Sequence, residues 1–297
     1  MSRRGILVRV GGALGVVSLM TCYGATQGVR TARMEMHPPR THGAREVAAA
    51  ALPELQDVRL RASDGVELAA WYVPSKNRAA VLLGHGWGAN RSELVPQARA
   101  LTADGFGVLL LDWRAHGESG GDLCTWGDRE RRDVSAAIDF VSARPEVDPG
   151  RIGGLGFSMG AASMILGAAQ DPRLRCLMLE ATVSSLEEYA ALDPPRLGPI
   201  STRPLLAAVR RAGVDVDAVR PIDLVGRFAP GNLLLLYGDK DRWIPPEMLQ
   251  KMRGAVRAPE QIWLVPGAGH GGCREAAGPA YFQRMIAFFR AALLAGA

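Results

Sequence analysis

Gly156-Phe157-Ser158-Met159-Gly160 sets a serine between two glycines. An apolar run, Arg151 to Leu155, leads into it, and a helix-forming stretch, Ala161 to Leu166, follows. A strand, a one-residue turn and a helix would leave the hydroxyl at the tip of the turn, beside the positive end of a helix. The glycines are expected because so sharp a turn leaves no room for a Cβ on either side. In a chain with 35 glycines the pentapeptide alone also describes a plain surface turn. Its chemical reading depends on the residues that follow it.

A serine hydroxyl is a weak nucleophile and needs a base within hydrogen-bond reach. The chain has five histidines, His37, His42, His85, His116 and His270. The first two precede the folded region expected below. His85 and His116 sit in loops where a ring braces a turn, although His85 also reads as a second base. His270 lies in the glycine-rich loop Pro266-Gly267-Ala268-Gly269-His270, after the final expected strand, and is the expected general base. The base needs a carboxylate to fix its tautomer. Asp241, in Gly238-Asp239-Lys240-Asp241, is that candidate, with Glu180 as the alternative and Asp239 as a turn-shaping residue. An acyl-transfer site also needs donors for the developing oxyanion. The backbone N–H of Met159 and that of Trp87, in Gly84-His85-Gly86-Trp87-Gly88, are the expected pair.

These residues need a scaffold that gathers them. Val58 to Ala62 alternates like a strand, Asp64-Gly65 signals a hairpin, and Val66 to Val73 returns. Short apolar runs follow at Ala79–Leu83, Val108–Leu111, Arg151–Leu155, Cys176–Glu180, Leu233–Tyr237 and Gln261–Val265. Helical spacing appears between them, as at Val134, Ala137, Ile138 and Val141, and again in the closing stretch from Pro279 to Leu294. The pattern predicts an α/β fold: a mostly parallel central sheet with helices on both faces and an antiparallel hairpin at one edge. Each candidate catalytic residue falls just past the carboxyl end of a strand, where chemistry collects in such sheets.

The ordered set H-G-W-G, D-x-R-x-x-G-x-S, G-F-S-M-G, G-D-K-D-x-x-x-P and G-A-G-H resembles the α/β-hydrolase superfamily over roughly residues 58 to 297. Within it, the chain resembles the serine esterase, lipase and aminopeptidase-like branch, and small membrane-tethered bacterial members in particular. The resemblance implies an acyl-enzyme on Ser158, deacylated by water that His270 activates, with no cofactor and no metal. The substrate class implied is a small-molecule acyl ester or thioester. A serine peptidase or amidase of the same fold is the alternative, and a non-catalytic binding protein on the hydrolase scaffold is a third. Residues 183–231, where the superfamily often carries a lid, hold Pro194, Pro195, Pro199, Pro204, Pro221 and Pro230. A short cap with one short helix around Leu205, Leu206 and Val209 is expected there.

Composition bounds the remaining possibilities. Hydrophobic content of 48% with 22% charged residues is that of a chain with a sizeable core. A net charge of +5, with acids and bases mixed as in Asp128 to Asp133, argues against a nucleic-acid partner. Cys22, Cys124, Cys176 and Cys273 are too scattered for a disulfide framework or a zinc site. Residues Ile6 to Tyr23 are apolar and glycine-rich behind Arg3 and Arg4, with Arg9 near the front. Residues 1–27 therefore read as a short membrane anchor, a signal peptide or a lipoprotein segment, with Cys22 as the lipid acceptor in the last case. An extracytoplasmic location is expected. Residues 28–57 read as a linker, and residues 58–297 as the catalytic domain.

Overall fold

The computed structural model describes residues 3–192 and 197–295, with side chains from residue 17 onward. Two helices lead, α1 (Arg3–Met36) and α2 (Arg45–Ala51). The hairpin β1 (Gln56–Arg61) and β2 (Glu67–Val73) follows, then β3 (Ala80–Gly84), α3 (Val95–Ala103) and β4 (Gly107–Leu111). Next come α4 (Glu130–Ser142), β5 (Ile152–Phe157), α5 (Met159–Ala168) and β6 (Leu174–Glu180). After these lie α6 (Leu186–Leu192), α7 (Pro199–Arg211), α8 (Ile222–Val225), β7 (Leu233–Gly238) and α9 (Pro246–Ala255). The chain closes with β8 (Ile262–Val265), α10 (Cys273–Ala277) and α11 (Pro279–Leu293).

The strands form one eight-stranded sheet in the order β1-β2-β4-β3-β5-β6-β7-β8. The β1–β2 and β2–β4 pairs are antiparallel, and all others are parallel. The inner strands are uninterrupted apolar runs because both faces of the sheet are covered. In β4, Leu109 and Leu111 pack into one core, and Val108 and Leu110 into the other. This is the two-residue period of a strand serving two layers. The first core lies under α4, α5 and the cap, and the second under α2, α3 and α11. The edge strand β1 turns Arg59 and Arg61 toward solvent, which discourages pairing with another sheet.

The structure corrects two sequence expectations. The linker expected over residues 28–57 is largely built into the fold. Helix α1 runs through the expected boundary to Met36, with Ala32 and Met36 buried in the first core, and Ala48 and Leu52 are buried in the second. The cause is close packing of α1 on α7. Gly24 and Gly28 lie one turn apart on the same helix face. A Cβ at Gly24 would lie 2.3 Å from Ile200 Cγ2, and one at Gly28 would lie 2.1 Å from the Ser201 carbonyl oxygen. Gly24, in the expected anchor or signal segment, and Gly28, in the expected linker, form a contact surface.

The cap is also more helical than expected. The short helix placed around residues 205–209 is the 13-residue α7, flanked by α6 and α8. Its apolar stripe, Leu205, Leu206 and Val209, is buried, so tertiary packing keeps the helix continuous although Pro204 lies within it. Pro194 and Pro195 lie outside the described residues. No helix among the described residues is long and apolar enough to cross a membrane.

Candidate active site

Strand β5 ends at Phe157 and α5 begins at Met159, so Ser158 alone makes the turn. Its φ of 51° and ψ of −116° are unusual for a residue with a side chain, a strain of about 1–3 kcal/mol. The surrounding backbone holds it there: Ser158 N donates to the Glu180 carbonyl at 2.8 Å. The flanking glycines are required by contact. A Cβ at Gly156 would lie 2.7 Å from the Gly160 carbonyl oxygen. One at Gly160 would lie 2.4 Å from the carbonyl oxygens of both Gly84 and His85. The start of α5, with the Met159 N–H, therefore sits directly on the loop that leaves β3 and carries Trp87.

The loops after β7 and β8 bring in the other two groups. His270 Nε2 lies 3.0 Å from Ser158 Oγ, and His270 Nδ1 lies 2.8 Å from Asp241 Oδ2. The carboxylate can only accept, so Nδ1 carries the proton and Nε2 presents its lone pair to the serine hydroxyl. Asp241 is fixed in turn, since its Oδ1 accepts from Trp243 N at 2.8 Å and Ile244 N at 3.2 Å. The Asp241 side chain is 1% exposed and that of His270 is 25% exposed. Solvent and substrate thus meet the imidazole but not the carboxylate.

Neighbouring acids lock these loops together. Asp239 Oδ1 accepts from Gly267 N at 2.6 Å, tying the Asp241 loop to the His270 loop. Glu180, the alternative partner for the imidazole, instead accepts from Cys273 N at 3.1 Å. Burial raises the Glu180 carboxyl above its usual range. Burial, with Glu180 close by, likewise pushes the Cys273 thiol well up, away from the reactive thiolate.

His85 sits away from the serine. Its Nδ1 donates to the Gly86 carbonyl at 2.7 Å, and its Nε2 accepts from Trp113 N at 3.2 Å. It is fully buried, and desolvation, with His116 beside it, pushes its pKa down to about 3. A neutral ring with both nitrogens engaged braces the loop. His116 Nδ1 donates to the Arg114 carbonyl at 2.9 Å. Asp112 binds Arg91, and Arg114 binds Asp133 and Asp64, so the loop after β4 is pinned from below.

The sequence offers Trp87, Trp126, Trp243, Phe157 and Met159 as residues that could border a pocket, but not their partners on α1, α6 and α7. Trp87 Nε1 donates to the Glu35 carbonyl, at the end of α1, at 2.8 Å. A narrow cavity with about 20 Å³ of free space lies beneath the cap, walled by Met36, Cys124, Trp126, Tyr189, Leu205 and Val209 among others. The Cys124 thiol, in the cavity wall, meets the thioether of Met159, the residue after Ser158, at 3.2 Å. Tyr189 bridges Trp126 and Trp243, with ring centroids 4.4 Å and 6.1 Å apart. Apart from Trp87, in the H-G-W-G loop, no sequence motif marks these residues. The one available signal was the Gly24-x-x-x-Gly28 spacing, which permits close helix packing.

A serine held in a strained strand-to-helix turn, facing an imidazole that faces a buried carboxylate, is the arrangement of an α/β-hydrolase. More particularly, the model of the X-Pro dipeptidyl-peptidase (S15) family matches residues 10–193, and the chain belongs to that family of hydrolases. The Mycobacterium tuberculosis protein Rv2307c, itself uncharacterized, is 30% identical over 226 residues, 75% of each chain. Among solved structures, the Pyrococcus furiosus esterase Pf2001 superposes with a TM-score of 0.71 at 23% identity, covering 87% of this chain and 98% of its own. A Mycobacterium tuberculosis puromycin-hydrolyzing peptidase superposes with a TM-score of 0.65 at 18% identity, covering 81% of this chain and 40% of its own. At these identities the two structures share the fold.

Proposed function

We propose that the chain cleaves a carboxylic ester or thioester through an acyl-enzyme on Ser158. The observation that carries this reading is the continuous Ser158–His270–Asp241 hydrogen-bonded relay. Ser158 Oγ attacks the carbonyl carbon while its proton passes to His270 Nε2, and Asp241 stabilises the imidazolium. The oxyanion takes hydrogen bonds from the Met159 and Trp87 backbone amides, each worth about 10²–10³-fold in rate. Collapse expels the alcohol or thiol, which takes the proton from His270. Water then attacks the acyl-enzyme, giving its proton to the same nitrogen; the bond to Ser158 Oγ breaks as His270 returns that proton to Oγ, and the acid leaves.

A second reading, peptidase or amidase, has its own support. The family model is described by a dipeptidyl-peptidase. One experiment tests the nucleophile that both readings share, and a second separates them. A fluorophosphonate should label the wild type and not Ser158→Ala, and full labelling of that variant would remove the nucleophile assignment. Turnover of short p-nitrophenyl esters without cleavage of aminoacyl anilides supports the esterase, and the reverse supports the peptidase.

Membrane association through the N-terminal segment belongs to the same proposal. Val17, Leu19, Met20 and Tyr23 are 57–72% exposed and continue the apolar stretch ahead of them. Fractionation of the full chain against one lacking residues 1–20 tests it, with recovery of both in the soluble fraction as the contrary result.

A further inference from the structure

We propose that residues 35–41, the end of α1 and the start of the segment that leads to α2, are a brace that positions the Trp87 amide for the oxyanion, so that the N-terminal segment is a working part of the active site. The inference rests on the hydrolase reading above. The loop carrying that amide is intrinsically loose, because Trp87 stands between Gly86 and Gly88, and Gly88 has a φ of +71°. An oxyanion donor has to be fixed before the reaction, since a displacement of about 1 Å costs about 10²-fold. The loop's own chain supplies part of the restraint, as Glu93 Oε2 accepts from Gly86 N at 2.8 Å. On the Trp87 side the restraint comes from residues 35–41.

Three contacts make the brace. The Glu35 carbonyl accepts from the Trp87 indole at 2.8 Å. Thr41 Oγ1 donates to the Gly88 carbonyl at 3.3 Å and accepts from Asn90 Nδ2 at 3.0 Å. Pro39 lies against Gly88, 3.7 Å from where a Cβ would stand. The brace is itself anchored on its far side. The Met36 carbonyl accepts from Cys124 N at 2.9 Å, and the Arg40 guanidinium donates to the carbonyls of Ser119 and Gly121. Residues 35–41 thus span from the loop after β4 to the loop after β3. The Glu35 contact is a carbonyl accepting from an indole, so it needs α1 to end where it does rather than a particular side chain at position 35.

The test uses the full chain with Trp87→Phe, Thr41→Val and Thr41→Ser. Phe keeps an aromatic ring but has no N–H to donate. Val removes the Thr41 hydroxyl from an exposed position, and Ser restores it. Short p-nitrophenyl ester kinetics are read beside hydrogen exchange of residues 84–90 and the thermal midpoint. Trp87→Phe is expected to lower kcat about tenfold, and Thr41→Val about threefold, with KM within about twofold and faster exchange in the loop. Thr41→Ser should recover the wild-type kcat. A wild-type kcat in Trp87→Phe, or a Thr41→Ser as impaired as Thr41→Val, overturns the brace while leaving the hydrolase intact. A wild type that neither turns over esters or amides nor takes a fluorophosphonate at Ser158 ends both proposals together.

Discussion

The active site has two halves built in different ways. The half that carries Ser158, Asp241 and His270 is made of strand ends. Its side chains project from loops that neighbouring strands hold at fixed separations, and its close approaches are backbone to backbone, as where Gly160 meets Gly84 and His85. The half that faces it, made of the end of α1, residues 35–41, α6 and α7, contributes no strand to the sheet. It is held by helix packing and by hydrogen bonds that reach 52 residues along the chain, from Trp87 to Glu35. The first half supplies the reacting groups, and the second shapes the space in front of them. A change in the first should therefore act directly on the chemical step, and a change in the second on fit and stability, reaching the chemical step only through the contacts of residues 35–41 with the Trp87 loop.

The largest separation of the two is expected at Asp241→Asn. The carboxamide can still accept, but it no longer stabilises an imidazolium and can donate to Nδ1, which selects the wrong tautomer. A fall of about 10⁴-fold in kcat with little change in the thermal midpoint is expected. A fall under tenfold would mean that the imidazole does not work through this carboxylate. Next is Gly160→Ala, where the new Cβ meets two carbonyl oxygens at 2.4 Å and has no flexible neighbour to displace. Separating α5 from the loop after β3 should cost about 10²–10³-fold in kcat, the equivalent of one oxyanion donor. Gly28→Ala poses the same steric problem in the other half, at 2.1 Å from the Ser201 carbonyl. There α1 and α7 can move apart, so the expected cost is about 1–3 kcal/mol of stability, with kcat for small esters within a fewfold of wild type. Equal losses of kcat in the two glycine variants would erase the distinction between the halves.

The sheet-built half was legible in the sequence because its requirements are local. A strand ending in a single-residue turn needs Gly156 and Gly160 whatever surrounds it, and each strand announces itself as an apolar run. Asp241 and His270 stand at fixed places relative to the ends of their strands, so chain order was enough to pair them. The opposite half was misread for the complementary reason. Gly24 and Gly28 look like loose chain unless α7 is already in place against them, and Met36 looks like linker until the cavity it walls exists. Pro199 and Pro204 suggested a broken segment, whereas burial of Leu205, Leu206 and Val209 outweighs the propensity of one proline within α7. The Trp87 indole gave no hint of its partner, because the acceptor is a main-chain carbonyl that any residue at position 35 could offer.

His85 lies in the loop between the halves, and its titration should show in stability. Its folded pKa is pushed down to about 3 by burial, from an ordinary value of 6.5. Between those values the unfolded chain binds a proton that the folded protein refuses, so stability rises with pH and is lost as pH falls. Lowering the pH from 7 to 5 should cost about 2 kcal/mol through this group. His116, also lowered by burial, adds a loss of the same sign. Urea denaturation of the wild type and of His85→Gln across that range measures it. The glutamine variant starts lower, since it keeps only part of the hydrogen bonding to Gly86 and Trp113, but its stability should fall less steeply toward acid. Parallel slopes would mean that the folded protein protonates His85 after all, at the expense of its bond from Trp113 N. The loop between the two halves would then be held by something other than a neutral ring.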